Sequence, residues 1–265
     1  MYVCKYGTVN TNTSEKEDSV KVSLILTTYN CKDNLKKTLK SIDEQDYADI
    51  EVVIKDGVSI DGTLDVIQDY AGQHSNVIWK SEPDKGIYDA LNQGYAMSTG
   101  DIVAVCNDLY TTSDAVSKFV RAIEEGGAEC MGAHADLVYA DEEKVIRYWK
   151  MGQGRIAQGW MPGHPTLYLK REVYEKYGLY NTEYKCSADY EFMIRVLKDD
   201  KVKLAYIPEV LIKMFYGGTS TSSAGSYWVS IKESHKALRD NGVRFAWWVI
   251  FLRILKTLKQ FKGKK

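Results

Sequence analysis

Apolar residues along this chain switch repeatedly between two spacings. From Gly86 onward Ile87, Ala90, Leu91 and Tyr95 recur every three or four positions, with Asp89, Asn92 and Gln93 between them, which predicts a helix. Gly94 lies inside it at a cost to helix stability. The pattern stops at Ser98-Thr99-Gly100 and restarts as Ile102-Val103-Ala104-Val105-Cys106, an unbroken apolar run suited to a strand covered on both faces. That run ends at Asn107-Asp108, which reads equally as a polar turn or as an acid offered to a ligand at a strand's carboxyl end.

The preceding residues alternate in the same way. Val22 to Thr27 predicts a strand closed by Thr28-Tyr29-Asn30, and Asn30 or Asp33 can cap a helix carrying Leu35, Leu39 and Ile42. A second strand spans Ile50 to Ile54. A loop from Asp56 to Thr63 leads to a helix carrying Leu64, Ile67 and Tyr70, and Asn76 to Trp79 gives a third strand. Strands alternating with helices imply βαβ units, a parallel sheet and an α/β fold.

The second half departs from that rhythm. Asp136 to Ala140 and Lys144 to Trp149 flank Asp141-Glu142-Glu143 as a hairpin, an antiparallel excursion. Met151 to Gly163 has four glycines, one proline, Trp160 and no period, the composition of a flexible loop over an active site, and His164 follows it. Arg171 to Tyr177 predicts a helix ending at Gly178. Ser187-Ala188-Asp189-Tyr190-Glu191 opens another, where Asp189 has the plain explanation of an acid in a first turn. Val202 to Ile207 is a last strand, and Gly217 to Ser223 a hydroxyl-rich loop.

The tail is apolar on several sides. Phe245 to Leu252 is a run of eight apolar residues. Ile254, Leu255, Leu258 and Phe261 share a helical face with Phe251, and Arg253, Lys256, Lys259 and Gln260 oppose it. With six basic residues and no acid from Phe245 to Lys265, this is the pattern of a helix lying in a membrane interface, the alternative being a terminal helix packed on its own domain.

Composition refines this picture. The chain is 45% hydrophobic and 27% charged with a net charge of −1, ordinary for a globular protein. From Ile231 onward ten Lys/Arg face two acids, whereas the remainder holds 25 Lys/Arg against 34 acids, so a basic tail follows an acidic body and points to an anionic surface. The five cysteines, Cys4, Cys31, Cys106, Cys130 and Cys186, have no C-x-x-C spacing, which argues against a disulfide framework or zinc site and fits a reducing cytoplasm. Met1 to Asp18 lacks the apolar core of a signal peptide, and no run reaches the roughly 18 apolar residues of a membrane span. Neither a G-x-G-x-x-G nor a Walker-type loop follows the first strand, so a strand-end carboxylate holding a divalent metal is the expected way to neutralise an anionic ligand.

Taken in order, Thr27-Thr28-Tyr29-Asn30, Asp56-Gly57-Val58-Ser59-Ile60-Asp61-Gly62-Thr63, Ser81-Glu82-Pro83-Asp84-Lys85-Gly86-Ile87-Tyr88-Asp89-Ala90-Leu91-Asn92, the strand ending at Asp108, His164-Pro165-Thr166 and Ser187-Ala188-Asp189-Tyr190 resemble family 2 glycosyltransferases of the GT-A fold. The branch resembled builds bacterial capsule, O-antigen and exopolysaccharide. The resemblance covers about Val22 to Ser223 and implies a catalytic domain over 21–226, with a nucleotide-sugar half at 21–110 and an acceptor half at 111–226. A loosely packed segment at 1–20 and a basic helical tail at 227–265 flank it. It implies that Thr28, Tyr29, Asn30 and Asp56 line the nucleotide pocket, Asp56 reaching the base, and that Asp84, Lys85, Asn92 and Asn107 border the ribose, diphosphate and donor sugar. Asp108 would be the surviving acid of a metal-binding D-x-D, holding Mg2+ or Mn2+, although the usual acidic cluster is thinned here to Asn107-Asp108. Asp189 would be the general base of an inverting transfer, with Trp160, His164, Ser187 and Tyr190 near the acceptor or diphosphate.

The implied reaction moves a hexose from a nucleoside-diphosphate sugar, UDP-sugar favoured, to a saccharide acceptor linked to a lipid such as undecaprenyl diphosphate. The implied place is the inner face of the cytoplasmic membrane, with no nucleic-acid partner. Two competing readings are a sugar-1-phosphate nucleotidyltransferase, which Leu26 to Asn30 does not resemble, and a non-catalytic membrane-bound scaffold, against which the retention of Asp189 argues.

Overall fold

The computed structural model describes residues 19–141, 144–215 and 224–260. Most of the expected N-terminal segment, Glu142-Glu143, the Gly217 to Ser223 loop, Phe261 and the last three lysines lie outside the described residues.

Five strands and four helices make up the first half: β1 (Val22–Thr28), α1 (Lys32–Asp43), β2 (Ile50–Asp56), α2 (Thr63–Gln73), β3 (Val77–Ser81), α3 (Ile87–Met97), β4 (Ile102–Val105), β5 (Leu109–Tyr110) and α4 (Ala115–Glu125). The second half contributes β6 (Cys130–Ala140), β7 (Val145–Trp149), β8 (Tyr168–Lys170), α5 (Arg171–Tyr177), α6 (Ala188–Leu197), β9 (Lys203–Phe215), α7 (Ala224–Asp240) and α8 (Ala246–Gln260). One sheet holds all nine strands in the order β3-β2-β1-β4-β8-β6-β9-β5, with β7 added to β6. The strands β3, β2, β1 and β4 are parallel, whereas β8 is antiparallel to both β4 and β6. The expected hairpin is present, pairing Leu137 with Trp149 and Val138 with Tyr148.

The sheet is covered on both sides, which is why its central strands read as unbroken apolar runs. Leu24, Leu26, Val52 and Ile54 point to a core completed by Leu35, Leu39, Ile67, Phe119 and Ile123 of α1, α2 and α4. Ile25, Val53 and Val103 point the other way, to Leu91, Val173, Phe192 and Ile194 of α3, α5 and α6. Gly94 is explained by this second layer: a Cβ there would stand 2.5 Å from the Ile25 side chain, so the glycine lets α3 lie directly on β1.

Three expectations are corrected. Neither Asn30 nor Asp33 caps α1, because Cys31 is the cap residue and the Asn30 side chain accepts the Ile60 N–H at 2.8 Å instead. The segment from Met151 to Gly163 is tied down: Met151 N donates to Asp136 at 2.7 Å, the Trp160 indole donates to the Met151 and Gly152 carbonyls, and Met151, Ile156 and Met161 are buried. It forms a floor for α8, since a Cβ at Gly159 (φ +68°) would come within 2.7 Å of the Arg253 backbone.

The tail is packed on its own domain along one face and exposed along another. Helix α8 docks through buried Ala246, Val249 and Ile250 while Trp247, Trp248, Phe251, Leu255 and Leu258 stay exposed. Arg253 and Gln260 do not share a solvent face with Lys256 and Lys259. Arg253 lies over the Tyr190 ring at 4.1 Å, and Gln260 accepts the Arg147 Nε–H at 2.6 Å.

Candidate active site

The first strands end side by side, so their last residues share one edge of the sheet. Thr28 pairs in register with Asp56, and Asp56 with Ser81. The Asp56 carboxylate is fully buried and accepts from Thr28 Oγ1 (2.9 Å), Ser81 Oγ (2.7 Å), Ser59 N (3.0 Å) and Ser59 Oγ. Burial pushes its pKa up, but the Ser59, Ser81 and Thr28 hydrogen bonds outweigh that and hold it below the usual value. A carboxylate has about four acceptor positions, and all are used here. Asp56 thus holds the three strand ends together. The loop above it is strained and over-determined: β-branched Val58 sits at φ +65° while Gly57 N donates to the Thr28 carbonyl at 2.9 Å.

A residue missed in the sequence organises the neighbouring loop. Lys55 is fully buried, donates to the Asp56 and Glu82 carbonyls at 2.7 and 2.6 Å, and lies 3.6 Å from Asp84 Oδ2. A lysine in a strand covered on both faces has to find partners, and that was the available signal. Asp84 is thereby held against Gly57, where an added Cβ would lie 2.8 Å from its carboxylate, and its other oxygen accepts the Gly86 N–H. Tyr29 is 68% exposed beside Gly57, and Lys85 is exposed with its backbone N–H on Asp89. Asn30, at φ +47°, is fastened to the Ser59–Ile60 loop through its N–H and side-chain carbonyl.

Two amides of the expected donor side make structural hydrogen bonds. Asn107 accepts the Thr27 N–H at 2.9 Å and donates to Thr27 Oγ1 at 3.0 Å, fixing the end of β4 to β1. Asn92 accepts the Tyr180 N–H at 3.0 Å and donates to the Tyr180 carbonyl at 2.9 Å. Asp108 differs from both. Among the described residues it accepts from the Phe215 N–H, at 3.2 Å, and burial pushes its pKa up to about 6 against that bond. Among the described residues no group of three or more His, Cys, Asp or Glu could hold a metal.

Asp189 stands in the first turn of α6, and Tyr88 of α3 donates to it at 3.0 Å. Around it lie His164, whose Nε2 is 2.7 Å from the Tyr180 hydroxyl, and Tyr180 itself. Burial lowers the His164 pKa, against the pull of the Asp189 charge. Tyr139 of β6 ties this cluster to Asp108. Its phenol is raised first by burial, and the charges of Arg147, Asp108, Arg253 and Asp189 also act on it. Tyr88, Tyr139 and Tyr180 were not singled out in the sequence. Of the remaining expected residues, Ser187 bonds Ser230 of α7 at 3.3 Å and Tyr190 is buried under Arg253. Trp160 packs edge-on to His134 with its indole N–H on backbone carbonyls. A cavity of about 630 Å3 lies elsewhere, at the amino-terminal end of β4 beside Asp101, Lys170 and Arg171.

A sheet of this order, with acids gathered where its parallel strands end, is the GT-A architecture of glycosyltransferases. Mannosyltransferase PcManGT from Pyrobaculum calidifontis, solved with GDP-Man and Mn2+, superposes with a TM-score of 0.60 at 19% identity, over 93% of this chain and 76% of that one. S. aureus TarS 1–349 in complex with UDP-GlcNAc superposes at 0.68 and 15% identity, over 90% and 73% of the two chains. In sequence, an uncharacterized glycosyltransferase of Mycobacterium tuberculosis is 32% identical over 181 residues, covering 66% of this chain and 68% of its own. A PGL/p-HBAD biosynthesis glycosyltransferase of Mycobacterium bovis is 28% identical over 208 residues, covering 76% and 79%. The model of glycosyl transferase family 2 matches residues 23–192, and the chain belongs to that family.

Proposed function

We propose that this family 2 glycosyltransferase transfers a hexose, with inversion, from a nucleoside-diphosphate sugar, UDP-sugar favoured, to a hydroxyl of a lipid-linked saccharide in surface-polysaccharide synthesis. The observation that carries the reading is the Tyr88–Asp189 hydrogen bond: a carboxylate at the head of α6 is oriented by a helix of the donor-side motif, and its charge and that of Asp108 both act on the Tyr139 phenol. Asp189 takes the proton of the acceptor hydroxyl as its oxygen attacks the anomeric carbon. Thr28, Tyr29, Asn30, Asp56, Asp84 and Lys85 frame the nucleotide end.

A divalent cation, Mg2+ or Mn2+, fits Asp108 by the chemistry of the donor set. One carboxylate suffices when diphosphate oxygens and water complete the shell, and a buried acid pushed up to about 6 by desolvation gains from a cation beside it. The cation's contribution is to hold charge on the departing diphosphate. The exposed apolar face of α8 supports attachment to the inner surface of the cytoplasmic membrane, where a lipid-linked acceptor would be met.

The test is turnover of nucleotide sugars by wild type and Asp189→Asn. Loss of transfer with nucleotide binding retained supports the reading. A variant that transfers as fast as wild type refutes it, and a wild type that binds nucleotide without turnover would favour the scaffold.

A further inference from the structure

The backbone that leads into Asp189 is held by the tail. Glu233 of α7 sets one carboxylate oxygen on each of two consecutive N–H groups: Lys185 N donates to Oε1 and Cys186 N to Oε2, both at 2.8 Å. Two converging amides need two acceptors at a fixed spacing, and a carboxylate supplies both with its charge behind each bond. Ser187, the residue before α6, continues the contact. A serine in this place ordinarily turns its hydroxyl to the N–H groups of the first helical turn, yet this one makes no such cap. It donates to the Ser230 carbonyl of α7 at 3.3 Å and lies 3.3 Å from the Ser230 hydroxyl. Ser230, Glu233, Ser234 and Ala237 recur at three- and four-residue spacing and so form one face of α7, on which Ser234 and Ala237 are buried. Beyond Asp189 the same holds: Tyr190 is buried under Arg253 of α8, and Glu191 accepts from Asn241, just past α7, at 3.1 Å.

Asp189 therefore has its backbone and its side chain set by different helices. The tail fixes residues 185–187 before it and Tyr190 after it, while the Tyr88 hydroxyl of α3 meets one carboxylate oxygen at 3.0 Å. One hydrogen bond to a carboxylate leaves its direction open unless the Cα it hangs from is also fixed. We propose that Glu233 is a positioning residue for Asp189, holding the turn from which the base reaches the acceptor hydroxyl. This rests on the transferase reading above and deepens it by naming what holds the base. Glu233 acts through the Lys185 and Cys186 amides and touches no reacting group. A shift of about 1 Å in a reacting group can cost on the order of 100-fold in rate, so a loosened turn is read in kcat.

The experiment compares the full-length wild type with Glu233→Gln, which keeps the size of the side chain but sets an amide NH2 against one of the two N–H groups. Arg239→Gln, on the exposed side of the same helix, is the control. Nucleotide release is followed with UDP-glucose, UDP-N-acetylglucosamine and GDP-mannose, and amide exchange at Lys185, Cys186 and Glu191 by NMR. The Glu191 N–H closes the first turn of α6 on the Ser187 carbonyl at 2.9 Å, so it reports whether that turn persists. Glu233→Gln should lower kcat about tenfold with the donor KM within about threefold. It should speed exchange about tenfold at Lys185 and Cys186 and about threefold at Glu191, and Arg239→Gln should change each quantity less than about twofold. A merely structural role would lower the melting temperature and leave kcat of the folded protein unchanged. An unchanged kcat measured well below melting, a loss confined to KM, or an equal loss in Arg239→Gln would overturn the proposal. Failure of the wild type to release nucleotide from any of the three donors counts against the transferase reading alone. Exchange then decides the role of Glu233: faster exchange at Glu191 in Glu233→Gln supports it, and unchanged exchange there shows that the turn stands without it.

Discussion

The Tyr88 hydroxyl donates to Oδ1 of Asp189 at 3.0 Å, joining the first turn of α3 to the first turn of α6 across 101 positions of sequence. Burial and the Asp189 charge both keep that phenol protonated, so it serves as a fixed donor. Tyr88→Phe removes the orienting bond and leaves the ring in place. We expect kcat to fall roughly 10- to 100-fold with the donor KM within about threefold, since alignment of a base matters in the transition state. Steady-state kinetics check this, and an unchanged kcat would show that the tyrosine does not position Asp189.

Asn92 brackets the Tyr180 backbone with both ends of its amide, and the Tyr180 hydroxyl meets His164. Asn92→Ala leaves two backbone groups without their partner and should cost about 2–4 kcal/mol at roughly 1–2 per bond. Denaturant unfolding should register the loss. If Asn92 instead served the donor sugar, stability would hold and only KM would move.

How much of this could be read in advance differs between the layers. Strands β1, β2 and β4 and helices α1 to α3 are legible because each carries its own period, and the ordered motifs name the fold. The length of β9 is not, because Pro208 and Glu209 interrupt its pattern and its pairing with β6 shifts register around Asp136. The three-residue strand β8 exists only because β4 and β6 both need a partner. Within the site, the motifs locate Asp56, Asn92 and Asn107 without saying that each is consumed by neighbours. Saturation of a polar group depends on side chains such as Ser59, Ser81 and Tyr180 that tertiary structure brings to it.

Glu51 illustrates the same blindness at the other end of the sheet. It is buried, accepts from Ser23 and twice from Thr99, and pairs with Lys21 at 2.9 Å. Burial raises its pKa, yet these bonds pull it down from 4.5 to about 2. The folded value is below the unfolded one, so this stabilisation is fully present above pH 4.5 and disappears as pH falls toward 2. Glu51→Gln should lose about 2–3 kcal/mol at pH 7 and show a flatter stability profile between those limits than wild type. Parallel profiles would refute the assignment.

Asp108 has the opposite sign. Its folded pKa, pushed up to about 6, exceeds its ordinary 3.8, so the unliganded protein is relieved of this strain below pH 3.8 and carries it in full above 6. Asp108→Asn should therefore stabilise the unliganded protein at pH 8 by on the order of 1–2 kcal/mol and have little effect near pH 4. Mn2+-enhanced nucleotide binding should weaken as pH drops through 6, because the proton competes for the same carboxylate, and the variant should lack that enhancement. Melting curves and titrations at the two pH values test both arms, and enhancement surviving in Asp108→Asn would move the cation elsewhere.

Deleting the tail would be a poor test of membrane attachment, because α8 is also part of the fold: Ala246, Val249 and Ile250 are buried and Arg253 covers Tyr190. No helix among the described residues is long and apolar enough to cross a membrane, so attachment would have to lie in the interface. The informative change is on the outer face, where Trp247, Trp248 and Phe251 are 60%, 58% and 47% exposed and Lys256 and Lys259 lie alongside. Serine at all three aromatic positions removes the Trp247–His235 and Trp248–Phe251 ring contacts but no buried side chain, so the melting temperature should fall by no more than about 6 °C, at about 0.5 kcal/mol per surface change and about 2–4 °C per kcal/mol. It should weaken sedimentation with phosphatidylglycerol-containing vesicles at least tenfold, since each interfacial aromatic contributes on the order of 1 kcal/mol. Neutral vesicles should bind more weakly than anionic ones in proportion to the lysines, each worth about 1 kcal/mol near an anionic surface. A triple variant that still sediments like wild type would mean that the exposed aromatic row of α8 meets something other than lipid.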